Sequence, residues 1–282
     1  MIYEKISGFS DEIASDIDTQ FAVLGKLGIK YFEPRGINGN NISTLNDDEV
    51  LALKEKMDAA GIKASSIGSP IGKIKLTDDF EAHFEVFKRV VKTAKMLDTK
   101  YIRMFSFYHK GGEWTREERA DVLAKLERMI AYAKENDVIL LHENEKDIYG
   151  DTADRCLDLM ETLGCESFRA VFDPANFVQC GQDTRVAFDK LQKHVEYMHV
   201  KDAKASDGSV VPAGHGDGNF DYLLLRLFAS GYDGFLSLEP HLGSFDGLAQ
   251  LELDDKMLDL PKSGEGTFTL AHNCLLDVIA RV

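Results

Sequence analysis

The chain has 282 residues, 44% of them hydrophobic and 29% charged, the composition of a folded protein with a sizeable core rather than a disordered one. Its formal net charge of −15 sets up an average field that repels polyanions, so nucleic acid is not an expected partner. No apolar run approaches the roughly 18 residues of a membrane helix, and a membrane is not expected either.

In chain order, short apolar runs alternate with amphipathic segments. "KISGF" precedes "DIDTQFAVLGKLG", "KYFEPRG" precedes "NDDEVLALKEKMDAAG", and "IKASSIGSP" precedes "DFEAHFEVFKRVVKTAKMLD". The basic stretch Phe87 to Lys95 inside the last of these reads as the solvated face of a helix. "YIRMFSF" then leads into "TREERADVLAKLERMIAYAKEND", where Leu123, Leu126, Ile130 and Tyr132–Ala133 share one helical face. Thr115 and Glu118 have the spacing of a capping box. Gly61 and Gly231 stand where a helix must turn back toward a strand. "VILLHENE", "FRAVFDPANF", "VEYMHVKDA" and "GFLSLEPHL" complete the series, each followed by a helical pattern. Eight strand–helix units predict a parallel sheet closed into a single (β/α)₈ TIM barrel, one domain over residues 1–282. An open doubly wound sheet is the alternative, but "GFSDEIA" after the first strand is no Gly-rich phosphate loop. Two long loops, Lys204 to Gly218 and Gly243 to Glu265, follow strands seven and eight and fall on the face where barrels keep their chemistry.

Polar residues end the last four strands. Side chains of a barrel strand alternate between the interior and the helix layer. If Ile139 and Leu141 point inward, so does Glu143, while His142 points to the helices. By the same parity strand six ends in Asp173, strand seven presents His199 and Lys201, and strand eight presents Glu239. Pro174 and Pro240 close two of these strands because proline has no N–H for the ladder. Carboxylates crowded together repel and raise one another's pKa. A divalent cation removes that conflict, and three oxygen donors with one imidazole suit Mn²⁺, Co²⁺, Zn²⁺ or Mg²⁺. Glu143, Asp173, His199 and Glu239 are therefore the expected ligands of one metal ion.

At these residues the sequence resembles the xylose isomerase-like TIM-barrel superfamily, the sugar phosphate isomerase/epimerase group. The resemblance covers essentially the whole chain and rests on "SDEIASDIDTQFAVLGKLGIKYFEPRG", "LLHENEKDIYGDT", "VFDPANF", "MHVKDA", "VPAGHGDGNFDY" and "GFLSLEPHL". It implies a metal-dependent isomerase or epimerase acting on a sugar, keto-sugar or cyclitol, phosphorylated or free. Glu143 and Glu239 would then form the acid/base pair that makes an enediolate. Expulsion of a β-hydroxyl from the same enolate would make the enzyme a lyase or dehydratase. Endonuclease IV-like repair and a non-catalytic binding barrel are the remoter alternatives. Members commonly assemble as dimers or tetramers. Two positions depart from the epimerase pattern. Asn176 stands where a His often follows the metal Asp, and the loop "DGSVVPAG" lacks the Arg found there in sugar 3-epimerases.

Further candidates border this set. Asn176, Lys201, His215 and Arg103 are read as substrate contacts, with an ion pair to a site carboxylate as the other role for Lys201. Glu33 and Arg103 end strands two and four and are expected to bridge each other across the barrel mouth. His142 is expected to orient Glu143 or to pack beneath the helices. Trp114 and Phe107 are candidates for an apolar wall against a sugar face. The four cysteines show no C-x-x-C spacing, and the opening "MIYEKISGFSDE" lacks the pattern of a signal peptide. The cytoplasm is the expected location.

Overall fold

The computed structural model describes residues 2–109, 111–242 and 263–282. Eight parallel strands line the barrel: β1 (Ile6–Gly8), β2 (Tyr31–Phe32), β3 (Lys63–Ala64), β4 (Tyr101–Met104), β5 (Ile139–Glu143), β6 (Phe168–Phe172), β7 (Val195–Val200) and β8 (Leu236–Leu238). Six form one sheet in the order β1-β8-β7-β6-β5-β4, and β2 pairs with β3. The two pieces are joined at both seams. The Glu33 amide donates to the Gly8 carbonyl at 2.9 Å, and along β4 the Ile67 amide donates to the Tyr101 carbonyl while the Ile67 carbonyl accepts the Arg103 amide, both at 2.9 Å. The curled sheet is thus a closed barrel, as the eightfold alternation predicts.

The helices form the outer layer: α1 (Ile17–Lys26), α2 (Asp47–Ala60), α3 (Phe80–Met96), α4 (Arg116–Glu135), α5 (Ala153–Leu163), α6 (Pro174–Gln179), α7 (Thr184–Leu191), α8 (Phe220–Ala229) and α9 (Gly264–Arg281). Local chemistry sets their ends. The Thr115–Glu118 capping box is formed at the start of α4, and Gly61 takes the left-handed conformation, φ 66°, that ends α2. Leu126 and Ala133 are buried in the core, with Leu123, Ile130 and Tyr132 packed against it. Pro174 does more than end β6. It is the first residue of α6, capped by Asp173, where a missing N–H costs nothing.

The barrel interior is layered. Leu141, Val171, Tyr197 and Phe235 form a buried apolar floor, with Tyr31, Tyr101 and Ile139 packed on it. Above it lies a polar layer: Ser7 Oγ bonds Ser65 Oγ at 2.6 Å, Ser65 Oγ bonds the Tyr197 hydroxyl at 2.8 Å, and Tyr197 and Ser237 donate to Glu33 Oε2 at 2.9 and 2.8 Å. This layer can bury polar groups because each of these hydroxyls has a partner. On it stand the side chains that end β5 to β8.

Candidate metal centre

Glu143 ends β5, Asp173 follows β6, His199 lies in β7 and Glu239 follows β8. One ligand atom from each lies within 4.8 Å of all the others. None of the four residues is more than 2% exposed. Parity does the placing. His199 is registered beside Ser237 on β8, so the imidazole rises from the polar layer, and Glu239 follows two residues after Ser237 on the same face. His199 Nδ1 is 3.1 Å from Glu143 Oε1, 3.3 Å from Glu239 Oε2 and 3.9 Å from Asp173 Oδ2. Its Nε2 lies 3.4 Å from Glu33 Oε2, the contact that orients a metal-facing imidazole from behind.

These residues fit a metal ion. Asp173 Oδ2, His199 Nδ1 and Glu239 Oε2 are buried and make no hydrogen bond of regular geometry, being left with ion-pair contacts alone, although buried polar atoms are nearly always hydrogen-bonded. All three belong to the same cluster and converge on one point. The donor set, oxygen-rich with one imidazole, suits Mn²⁺, Co²⁺, Zn²⁺ or Mg²⁺.

The electrostatics follow from burying so many charges. Burial, reinforced by Glu143 and Glu239 and opposed by Lys201, raises the Asp173 pKa to about 7. Burial also acts on Glu239, but Lys201, His241 and His199 outweigh it and hold the pKa well below the usual carboxylate range. For His199, burial disfavours the charged ring, yet the carboxylates of Glu143 and Glu33 raise its pKa well above the ordinary value.

Cations surround the carboxylates. Lys201 Nζ lies 3.2 Å from Asp173 Oδ2 and 3.6 Å from Glu239 Oε2, the ion-pair role foreseen for it. Arg103 does not bridge Glu33. Its Nη1 reaches Glu143 Oε2 at 3.2 Å and Glu239 Oε1 at 3.5 Å, because Glu33 lies one layer deeper, where Tyr197, Ser237 and His199 engage it. Asn176 Nδ2 lies 3.3 Å from Glu143 Oε1 and 2.9 Å from the Asn144 carbonyl, and its buried Oδ1 makes no hydrogen bond.

Four neighbours went unassigned in the sequence. Arg35, in the loop after β2, binds Asp11 through Nε and Nη2 at 2.8 and 3.1 Å, Glu12 at 3.2 Å and Glu239 Oε1 at 3.1 Å. His241 Nε2 is 3.3 Å from Glu239 Oε1 and 3.5 Å from Glu12 Oε1, and the His241 amide donates to Glu12 Oε2 at 2.7 Å. Burial raises the Glu12 pKa to about 7 against the opposing charges of His241 and Arg35. The available signal was parity: Arg35 stands two residues after Glu33, and His241 two after Glu239.

Other candidates lie elsewhere. His215 is exposed, with its Nε2 3.8 Å from Cys274 Sγ on α9, and does not join the cluster. Its loop is instead wrapped around Asp202. Phe107 is no wall for a ligand: it is fully buried, edge-on to Phe80 at 6.1 Å, because a φ of 68° turns it under α3. His142 packs beneath the helices, bonding Ser106 Oγ at 2.9 Å, and burial lowers its pKa to about 3. Of the second long loop, residues 243–262 lie outside the described residues. Among the described residues no helix is long and apolar enough to cross a membrane.

Known structures share this architecture. An IolI protein described with a binding zinc atom aligns over 98% of this chain and 98% of its own, at 18% identity and a TM-score of 0.75. An L-ribulose 3-epimerase aligns over 98% and 93%, at 17% identity and a TM-score of 0.74. The probable 3-DHS dehydratase AsbF of Bacillus anthracis, involved in petrobactin synthesis, aligns over 96% and 98%, at 16% identity and a TM-score of 0.74. At such identities the likeness concerns the fold. No curated protein sequence matches. The family profile described as xylose isomerase-like TIM barrel matches residues 21–256, and the chain belongs to that family.

Proposed function

We propose that this protein is a divalent-metal-dependent isomerase or epimerase of a sugar, keto-sugar or cyclitol. One observation carries the reading: four buried ligand atoms from four adjacent strands converge, and three of them make no hydrogen bond of regular geometry. Glu143, Asp173, His199 and Glu239 would hold the ion, which when bound stabilises negative charge developing on a substrate carbonyl oxygen. A proton beside that carbonyl is otherwise too weakly acidic to leave at neutral pH.

The chain's own groups would then move the proton. Glu143 ends β5 and Glu239 follows β8, with β6 and β7 between them, so that one carboxylate withdraws a proton from carbon and the other returns one from the far side. Arg103 touches both and fixes their separation. Asn176 steadies Glu143 and offers its open Oδ1 to a substrate hydroxyl. These residues are buried, and a low local dielectric strengthens each of these interactions. The likeness to an L-ribulose 3-epimerase agrees with this chemistry, and the zinc atom described for IolI agrees with the metal.

Lys201 supports a second reading. Its ammonium lies among the carboxylates, where it could protonate a departing hydroxyl, a step that elimination needs and epimerisation does not. The likeness to AsbF points the same way.

The test is metal analysis followed by incubation with keto-sugars and inososes in D₂O. The purified protein should carry about one equivalent of Mn, Co, Zn or Mg, lost in His199→Ala. Exchange of the proton beside the carbonyl should follow, and Glu143→Gln or Glu239→Gln should each lower turnover by roughly 10²–10⁴-fold. An unsaturated product would select the lyase reading. A protein that takes up no divalent ion refutes both.

A further inference from the structure

A concave site lies on the same face of the barrel, outside the cluster. It is a cavity of ≈ 710 Å³ beyond the ends of β4 and β5, lined among others by Tyr108, His109, Trp114, Asp147, Asp151 and Arg155. That volume falls in the range of small-molecule sites.

Its aromatic wall is built in advance. Trp114, the only tryptophan of the chain, is half-buried and packs against His109 at 4.5 Å and edge-on to Tyr149 at 5.1 Å. Both supports are pinned. The His109 ring bonds Glu118 at 3.2 Å and accepts the Gly111 amide at 2.9 Å, and the Tyr149 hydroxyl donates to Asp158 at 2.7 Å. A rigid, partly exposed indole offers apolar area at little entropic cost, with polar groups beside it to fix orientation. Those groups are present. Asp147 is exposed and held at a φ of 64°, with its carbonyl accepting the His109 amide at 3.0 Å. The paired Asp151 and Arg155 side chains line the same cavity. An aromatic platform flanked by planar carboxylate and guanidinium groups is suited to a sugar ring, whose C–H face stacks and whose hydroxyls need both acceptors and donors.

The cavity lies within reach of the metal centre. Glu143 is in the cluster and Asp147 lines the cavity, so the two are at most about 14 Å apart along the chain. Tyr108 lies between them, close enough that burial and the charges of Glu145, Asp147 and Glu143 push its phenol up to about 12. It stays protonated at neutral pH, as a donor. We propose that the Trp114 cavity is an outer subsite that binds the second unit of a glycosidic substrate whose reacting sugar sits at the metal centre. The inference rests on the sugar-active reading of that centre, and its substrate class is a glycoside rather than a free monosaccharide.

The lone tryptophan makes the test direct. Maltose, cellobiose and trehalose are titrated against glucose while Trp114 emission is followed, in the wild type, in His199→Ala and in Asp147→Gly, which keeps the positive φ and removes the carboxylate. At least one disaccharide should change the emission saturably and at concentrations about tenfold or more below glucose. His199→Ala should retain a saturable response but lose most of the advantage over glucose, because only the outer unit then keeps its seat, and Asp147→Gly should weaken the wild-type response about tenfold, the loss of one hydrogen bond to a charged group. No saturable change in the wild type with any disaccharide, or one that glucose matches, overturns the subsite. A response unaffected by Asp147→Gly overturns the placement at this cavity. The two readings fail separately: metal uptake and proton exchange on monosaccharides without an emission change removes the subsite alone, and an emission change in a protein that takes up no metal removes the enzymatic reading alone.

Discussion

Single carboxylates organise much of this molecule, and Asp202 shows how. Its Oδ1 accepts the amides of Ala203 and Gly218, both at 2.8 Å, and its Oδ2 those of Gly214 and Gly216 at 2.9 and 3.0 Å. The loop from Lys204 to Gly218 is thus folded around one side chain, which satisfies four backbone donors, two of them buried. The wrap leaves no room for larger residues: a Cβ at Gly216 would stand 2.4 Å from Asp202 Oδ1, and one at Gly218 2.6 Å. Asp202→Asn exchanges one acceptor oxygen for an amide group that faces two of these donors. It should cost about 2 kcal/mol in denaturant unfolding, with metal content unchanged because the cluster ligands are untouched. A variant as stable as the wild type would show that the loop is held by other contacts.

Elements meet through similar contacts. Arg119 on α4 grips Asp158 on α5 through Nε and Nη2, at 2.8 and 2.6 Å, and the Tyr149 hydroxyl joins at 2.7 Å. The Arg119 bonds hold the Asp158 pKa below its ordinary value, against burial and with help from Tyr149. A carboxylate whose pKa is lower folded than unfolded stabilises the fold above its unfolded pKa, near 3.9, and loses that contribution as pH falls through the folded value. Asp158→Asn should therefore lower stability by about 1 kcal/mol at pH 7, and its deficit should narrow below about pH 4 in urea melts. At this scale the sequence was informative. Short apolar runs and period-3.6 patterns announced every barrel strand and its helix, and the Thr115 cap and the Gly61 turn are local signals that read directly. Strand parity alone sent Glu143, Asp173, His199 and Glu239 to one point. What stayed hidden needs distance: that Arg103 reaches Glu143 and not Glu33, that Arg35 and His241 crowd Glu239, and that Phe107 turns inward. Each depends on contacts between segments far apart in sequence, with no periodicity to mark them.

At the scale of the whole barrel, the candidate metal site and the sheet are coupled unevenly. The four ligand-bearing strands, β5 to β8, are successive neighbours in one hydrogen-bonded sheet. The β2–β3 pair is a two-residue ladder tied in at its seams by backbone bonds such as that from Glu33 to Gly8. An ion held by Glu143, Asp173, His199 and Glu239 would bridge strands that are already paired and add little to the β2–β3 seam. Ligand binding to the native state alone raises stability by RT ln(1 + [L]/Kd), about 2.7 kcal/mol at a hundred times Kd. Amide exchange should resolve where that gain acts, because local openings differ across a structure. With saturating Mn²⁺ or Zn²⁺, the amides of Leu140–Glu143, Tyr197–Val200 and Leu236–Leu238 should slow by up to about 100-fold. Those of Tyr31–Phe32 and Lys63–Ala64 should change far less, since they open without separating the ligands. In His199→Ala the metal should slow none of them. Slowing that persists in that variant would place the ion elsewhere in the barrel, and uniform slowing of β2, β3 and β5 to β8 would mean that these strands open only when the whole barrel does.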